Sequence, residues 1–103
     1  MAEYQVLYWH DIPLQVRSGG RRDRVSQELA PRFQVAIDKA AMAAELAGTD
    51  QYLGEFHWSD LQEREGSPAD VVAAVAAELE AKYPEVNWPK TAESITAGKK
   101  TVT

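Results

Sequence analysis

The sequence predicts an α+β fold, a small antiparallel or mixed sheet of three to four strands with two helices packed on one face. Three observations predict it. Much of the first thirty residues alternates apolar and polar side chains, as strands do. Residues 31–46 and 68–83 place apolar side chains three or four positions apart, as helices do. An aromatic run at 51–58 indicates a further strand, so the order is strand, hairpin, helix, strand, helix.

The amino-terminal part contains a strand followed by a hairpin signal. Residues 3–9 (EYQVLYW) are rich in aromatic and β-branched residues with apolar groups on both faces, which is typical of an inner strand. Pro13 cannot donate to a strand ladder, so we expect a bend or bulge there. Two alternating runs flank residues 18–21 (SGGR), which favours a hairpin with this segment at its tip. The alternative is a helix that begins near Asp23.

Two helices have clear start and stop signals. Pro31 suits the first position of a helix that runs for about sixteen residues toward Gly48. Ser67 suits the N-cap of a second helix over residues 68–83, which a proline then ends. The stretch between them is predicted as a strand over 51–58 and a polar loop.

We expect one domain over residues 1–84 and a carboxy-terminal tail over 85–103. From residue 85 the composition changes and little apolar periodicity remains. The tail is expected to be mostly mobile after about Trp88, with Trp88 itself able to fold back on the domain.

Composition and charge exclude several classes of function. The 103 residues contain no cysteine, which removes disulfides, thiolate metal sites and a thiol nucleophile. A net charge of −5 argues against general nucleic-acid binding, which needs a broad basic surface. No apolar run reaches the roughly 18 residues of a transmembrane helix, and Glu3 and Gln5 interrupt any signal peptide. We therefore expect a cytoplasmic protein that binds neither nucleic acid nor a membrane.

Large aromatic side chains are candidates for an interface. Five large rings exceed what two alanine-rich helices must cover in so small a domain; they are Trp9, Trp58, Tyr8, Tyr52 and Phe56. An exposed aromatic patch marks a binding surface, whereas the alternative is ordinary core. The aromatic candidates are Trp9, Trp58, Tyr52 and Phe33.

A group of four arginines is the second candidate. These residues are Arg17, Arg21, Arg22 and Arg24. Such a group could bind a phosphate, a carboxylate or an acidic partner, and the amides of Gly19 and Gly20 could approach the same anion. The alternative is a solvated hairpin tip whose arginines protect the strand edges from aggregation.

The two histidines are weak candidates for a metal site. If their strands lie side by side, His10 and His57 come together, and Asp11, Glu55 or Asp60 could complete a divalent metal site. They could also serve as a general acid and base. Their spacing matches no known ligand motif, and no nucleophile is evident nearby. We therefore predict no cofactor and no catalytic residue, and the alternative is a pair of strand-end histidines that cap aromatic packing.

Three segments follow one another along the chain: YWHDIPLQV (8–16), PRFQVAIDKAAM (31–42) and GTDQYLGEFHW (48–58). In this order they resemble the signatures of the small bacterial "virulence factor" domain family, which includes the carboxy-terminal region of conserved virulence factor C. The resemblance covers about residues 4–83. The resemblance implies no catalytic residue in this chain, and His10 stands where relatives often have arginine. Relatives also place a glycine-containing basic turn before the first helix, which supports the hairpin.

The resemblance also implies an accessory role. Members of that family occur alone or fused to other domains, including iron–sulfur assembly modules. Stand-alone genes often neighbour those of folate-linked one-carbon enzymes, so a link to one-carbon metabolism or virulence is expected.

Three functional hypotheses follow. The first is a non-enzymatic accessory or regulatory module that binds a protein partner or a second copy, with Arg17, Arg21 and Arg22 steering acidic groups. The second is a small-molecule or anion-binding protein that holds a folate-like or phosphorylated ligand through the arginines of residues 17–24. The third is a metal protein or enzyme that uses the two histidines.

Overall fold

The computed structural model describes residues 2–20, 22–46 and 48–102, and for 97–102 it describes the backbone alone. The α+β class is confirmed, with more elements in the described residues than the sequence predicted. In chain order they are β1 (Ala2–Trp9), β2 (Ile12–Ser18), β3 (Val25–Glu28), α1 (Pro31–Ala43), α2 (Asp50–Gly54), β4 (Phe56–Trp58), β5 (Gln62–Arg64), α3 (Pro68–Lys82) and α4 (Trp88–Val102).

The sheet is antiparallel throughout, and β1 is its inner strand as predicted. Its strand order is β3-β2-β1-β4. β4 and β5 pair with the same edge of β1: β5 pairs with residues 2–4, and β4 pairs with residues 7–9. The bulge expected near Pro13 is confirmed. Leu7 lies opposite Gln15 whereas Tyr8 lies opposite Pro13, so Leu14 is the extra residue.

The predicted hairpin is confirmed, and it excludes a helix that begins near Asp23. β2 and β3 pair antiparallel from Gln15 opposite Glu28 to Ser18 opposite Val25. Gly19 is required in the turn because its φ is +91° and a Cβ there would lie 2.5 Å from the Asp23 carbonyl oxygen.

Two helices pack on one face of the sheet, as predicted. α3 contacts β1, β2 and β3, and α1 contacts β2. Val6 and Val16 lie opposite each other in the register and are both buried beneath this helical layer. α3 begins as expected, since the Ser67 hydroxyl accepts a hydrogen bond from the Asp70 amide.

The strand predicted over 51–58 is wrong in its first half. Residues 50–54 form the short helix α2, and only Phe56–Trp58 extends as β4. The local cause is an N-cap, because the Thr49 hydroxyl accepts a hydrogen bond from the Tyr52 amide at 3.3 Å. The following segment, predicted as a polar loop, contains the short strand β5.

The expected tail is instead helical. α4 packs on α1, and Ala92 and Ile95 are buried in the common core. The buried Thr91 hydroxyl donates a hydrogen bond to an Asp11 carboxylate oxygen at 2.7 Å, which ties α4 to the β1–β2 turn. The prediction that Trp88 folds back is confirmed, because this half-buried ring packs against the core.

Candidate functional site

One face of the sheet lies opposite the layer formed by α1 and α3. Strand alternation and register place five half-buried side chains there, side by side on three strands. We call this surface the open face; its residues are Gln5 and Leu7 of β1, Gln15 and Arg17 of β2, and Trp58 of β4.

Arg17 is held in a defined position on the open face. Its Nε and Nη2 atoms donate to Gln5 Oε1 at 3.2 and 2.9 Å. Its guanidinium carbon lies 3.7 Å from the centre of the Trp58 ring, which is a cation–π contact. Gln5 in turn donates from Nε2 to the Ser59 carbonyl oxygen at 2.9 Å. We call these four residues the Arg17 cluster.

Ser59 fixes the position of this cluster on the sheet. Its amide donates to the Val6 carbonyl oxygen at 2.8 Å, and its hydroxyl accepts from the Val6 amide at 2.9 Å. These bonds hold the chain against β1 just beyond the end of β4. As a result, the Ser59 carbonyl is held next to Gln5, and the Trp58 ring is held next to the Arg17 guanidinium.

Among the residues that the structure describes, no carboxylate forms an ion pair with Arg17. Burial, and next the positive charge of Arg24, lower the pKa of its guanidinium from the ordinary value, and an arginine stays charged under such shifts. Within the described residues, ion pairs join histidine or arginine to glutamate at three places, and Arg17 takes part in none. The pairs are His10–Glu55, Arg32–Glu80 and Arg64–Glu78.

An open cleft of about 490 Å³ lies beside the Arg17 cluster. Gln5, Arg17 and Gly19 contribute to its wall, but so do the acidic residues Glu3 and Asp23. The predicted anion cradle of glycine amides is only partly available. The Gly20 amide already donates to Asp23 Oδ1 at 2.7 Å.

Two of the remaining predicted arginines lie outside the cluster. Arg22 and Arg24 are exposed in the turn between β2 and β3, and the charge of Arg24 is felt at Arg17. Arg21 lies outside the described residues.

Two of the four predicted aromatic candidates are core residues. Trp9 and Phe33 are 0% exposed, so neither can contact a partner while the fold is intact. The Trp9 indole donates from Nε1 to the Tyr52 carbonyl oxygen at 2.9 Å, and the two rings lie 5.8 Å apart. Tyr52 is half-buried, and burial, followed by the negative charge of Asp38, raises the pKa of its phenol.

The two histidines meet at Glu55. His10 Nδ1 lies 3.1 Å from Glu55 Oε2, and His57 Nδ1 lies 3.2 Å from the Glu55 carbonyl oxygen. His57 also stacks on Tyr8 with 5.8 Å between ring centres. Across the described part of the chain, no group of three or more His, Cys, Asp or Glu side chains is arranged to hold a metal ion. His10 contacts the Glu55 carboxylate, whereas His57 contacts only the Glu55 backbone carbonyl, so these three side chains do not converge on one metal position.

Gln5 and Ser59 are parts of the cluster that the sequence analysis missed. Gln5 carries a visible signal, since it is a polar residue in the middle of β1 between Tyr4 and Val6. Ser59 carries none, because its role depends on the pairing of β1 with β4.

Comparison with known proteins gives one match. A family model described as "Virulence factor" matches residues 7–89. The chain belongs to the virulence factor family. The match includes Arg17, Trp58 and Ser59 of this virulence factor domain, whereas Gln5 lies before it. No curated protein and no solved structure matches the chain. In the described residues, no helix is long and apolar enough to cross a membrane.

Proposed function

We propose that this virulence factor domain is a non-enzymatic accessory module that binds an acidic segment of a protein partner on its open face. The observation that carries the proposal is Arg17, a half-buried cation stacked on Trp58 and bonded to Gln5, without a carboxylate partner among the described residues.

The position of Arg17 favours a carboxylate ligand. Gln5 occupies the side of the guanidinium formed by Nε and Nη2. The end formed by Nη1 and the second Nη2 hydrogen is the edge that can bind a carboxylate with two parallel hydrogen bonds. Because Gln5 and Trp58 already restrain the side chain, binding costs less conformational entropy than it would for a mobile arginine.

Trp58 and Leu7 supply apolar contact area next to this charge. They lie directly opposite each other in the β1–β4 register, and both are half-buried. Tryptophan and arginine are the residue types that most often dominate the binding energy of protein interfaces. The open face therefore offers one cation and one adjoining apolar surface to a partner.

The attraction must be local, because the whole chain carries a net charge of −5. An acidic partner is repelled at long range and attracted only close to Arg17 and Arg24. We therefore expect affinity that falls as salt screens the contact, without the very fast association of oppositely charged proteins.

Nuclear magnetic resonance titration with a glutamate-rich peptide tests the proposal directly. We expect the Arg17 Nε and Trp58 indole signals to shift with the glutamate peptide and to stay unchanged with a glutamine version. Arg17→Gln should weaken binding by roughly tenfold or more, since it removes charge-assisted hydrogen bonds. The matched control is Arg22→Gln, an exposed arginine of the turn outside the cluster. Equal losses in both variants would show that only net charge matters.

The partner itself can be sought by quantitative affinity purification from cells. A specific partner must be captured by the wild-type chain and by Arg22→Gln, and lost with Arg17→Gln and Trp58→Ala. The family resemblance makes one-carbon enzymes and iron–sulfur assembly scaffolds the first proteins to examine. Capture that does not depend on Arg17 contradicts docking on the open face.

A small anionic ligand is the second candidate function, and the cleft favours it. Its volume of about 490 Å³ lies within the usual range for ligand pockets, about 300–1,000 Å³. Thermal unfolding with phosphate, citrate and folate tests it, because a ligand that binds the folded chain raises Tm. We expect any such rise to disappear in Arg17→Gln. No rise at millimolar ligand contradicts this candidate.

A further inference from the structure

We propose that two copies of this chain associate through the outer edges of their β3 strands, so that the sheet continues across a two-fold axis. This inference stands apart from the proposed docking function. It rests on the free edge of β3, on the charges along that edge, and on the helix beside it.

The edge of β3 presents its backbone groups outward. β3 is the terminal strand of the sheet, and no other described strand pairs with its outer side. The Leu29 amide donates inward to the Leu14 carbonyl oxygen. Because backbone groups alternate in direction along an antiparallel strand, those of Ser26 and Glu28 point away from β2. Both residues are exposed.

The charges along this edge match those of a second copy. An antiparallel pairing centred on Ser26 places Arg24 opposite the partner's Glu28, and symmetry repeats this pair on the other side of the axis. Arg24 and Glu28 lie on the same side of the sheet as Arg17, because Arg17 lies opposite Ser26 in the register. The strand is therefore self-complementary in charge as well as in backbone hydrogen bonding.

The helix above this edge leaves room for its symmetry mate. The ion pair of Arg64 with Glu78 marks the flank of α3 that faces β5, at the far side of the sheet from β3. At about 100° per residue, Ala69 lies about 180° around the helix from Glu78, and Ala73 lies on the same side of the helix as Ala69. Both alanines are exposed, so the first two turns of α3 carry small side chains on the flank toward β3; Glu80, further along the same flank, is paired with Arg32.

The opposite edge of the sheet fits a second copy less well. β4 and β5 have three residues each, and residues 59–61 interrupt the edge between them. Arg64, at the end of β5, is already paired with Glu78. The β3 edge combines outward backbone groups with Arg24 and Glu28, whose opposite charges take part in no ion pair within the described residues.

The expected dimer is weak. β3 has four residues, so the strand pair buries less than the roughly 1,200 Å² of a stable interface. We therefore expect a concentration-dependent equilibrium between monomer and dimer in the micromolar to millimolar range.

Charge reversal tests the proposed pairing. Sedimentation equilibrium of the full chain should show dimers, and Arg24→Glu or Glu28→Arg should each raise Kd by about tenfold or more, because both cross-strand pairs become like-charged. An equimolar mixture of the two variants should form mixed dimers, in which every pair again joins opposite charges. Native mass spectrometry distinguishes mixed dimers from the two homodimers by mass.

Two further variants complete the experiment. Arg22→Glu is the control, because it makes the same charge change in the turn outside the edge, and it should leave Kd within about twofold. Ser26→Pro should abolish the dimer and keep the monomer folded, because the amide that it removes points away from β2. Circular dichroism checks the fold of each variant. A monomer at millimolar concentration, or dimers that Arg24→Glu leaves intact, would overturn the proposal.

Discussion

Two tryptophans of this domain lie next to the same inner strand and have opposite surroundings. Trp9 is the last residue of β1, is 0% exposed, and has its indole nitrogen bonded to the backbone of α2. Trp58 ends β4, is half-buried, and has the Arg17 guanidinium stacked over its ring. The Trp9 ring is fully enclosed, whereas the Trp58 ring is half-buried with a charged side chain stacked over it.

The difference shows how a neighbouring element decides what an aromatic residue does. Alternation along β1 places Trp9 on the same face as Gln5 and Leu7. At the Trp9 end of this face, Tyr52 of α2 provides both a ring contact and a hydrogen-bond acceptor. At the Gln5 end, Gln5 and Arg17 provide a polar cover that a partner can contact. The first arrangement contributes to stability, and we assign recognition to the second.

The largest expected effect is loss of the fold on Trp9→Ala. Deleting a fully buried tryptophan leaves a cavity and an unpaired carbonyl, which costs about 3–5 kcal/mol. Total stability of a domain is about 5–15 kcal/mol, so the variant should be marginally folded at best. Urea denaturation followed by circular dichroism measures the loss. A decrease in the free energy of unfolding of less than about 1 kcal/mol would mean that the packing of α2 on Trp9 does not stabilise the domain.

Trp58→Ala should affect stability much less and binding more. Removing a half-buried ring and its cation–π contact costs about 1–2 kcal/mol, so the variant should remain folded. The same change should remove most of the binding of the glutamate-rich peptide. If Trp58→Ala destabilises the domain as much as Trp9→Ala does, the two tryptophans are equivalent core residues and the contrast is wrong.

Gln5→Glu sharpens the assignment of recognition to Arg17. The variant keeps an acceptor for the guanidinium but adds a negative charge that competes with any acidic partner. The variant also loses the hydrogen bond that Gln5 Nε2 donates to the Ser59 carbonyl. We expect stability to change by about 1 kcal/mol, because the new ion pair with Arg17 partly offsets that loss, and peptide binding to fall about as far as in Arg17→Gln. Gln15→Glu adds the same charge to the open face and is the matched control. Equal losses in both variants would indicate a general charge effect.

The smallest effect concerns Tyr52 at alkaline pH. Its folded-state pKa is raised, first by burial, above the unfolded value of about 10. The stability contributed by the neutral phenol is therefore complete below about pH 10 and is lost as the pH rises through the folded pKa. The Tm of the wild-type chain should fall more steeply above about pH 10 than that of Tyr52→Phe. Tyr8, whose phenol pKa is also raised by burial, is present in both proteins. Identical slopes would show that Tyr52 does not contribute.

Much of the fold is predictable because local signals agree with it. The β2–β3 turn needs a positive φ at Gly19, and α3 needs the cap that Ser67 supplies. The first half of 51–58 is not predictable from alternation, because the Thr49 cap overrides the aromatic strand pattern. α4 was missed because residues 88–102 have few apolar side chains at helical spacing, and the helix is stabilised by packing on α1.

The candidate site is only half predictable. Arg17 and Trp58 stand out as residue types, but forty positions separate them, and the pairing of β1 with both β2 and β4 brings them together. Trp9 and Phe33 look like equally good candidates in the sequence, and the structure buries both.

The sequence by itself determines the α+β class, the hairpin, the starts of α1 and α3 and membership of the virulence factor family. The hairpin and the helix starts depend on signals within about twenty consecutive residues, such as periodicity, caps and turn glycines. The class and the family membership depend on the order of such segments along the chain. Tertiary structure alone decides which aromatic rings are buried, which contacts Gln5 and Ser59 make in the Arg17 cluster, and that residues 88–102 form a helix. These outcomes depend on contacts between residues far apart in the chain, and burial is a property of the assembled layers rather than of any segment.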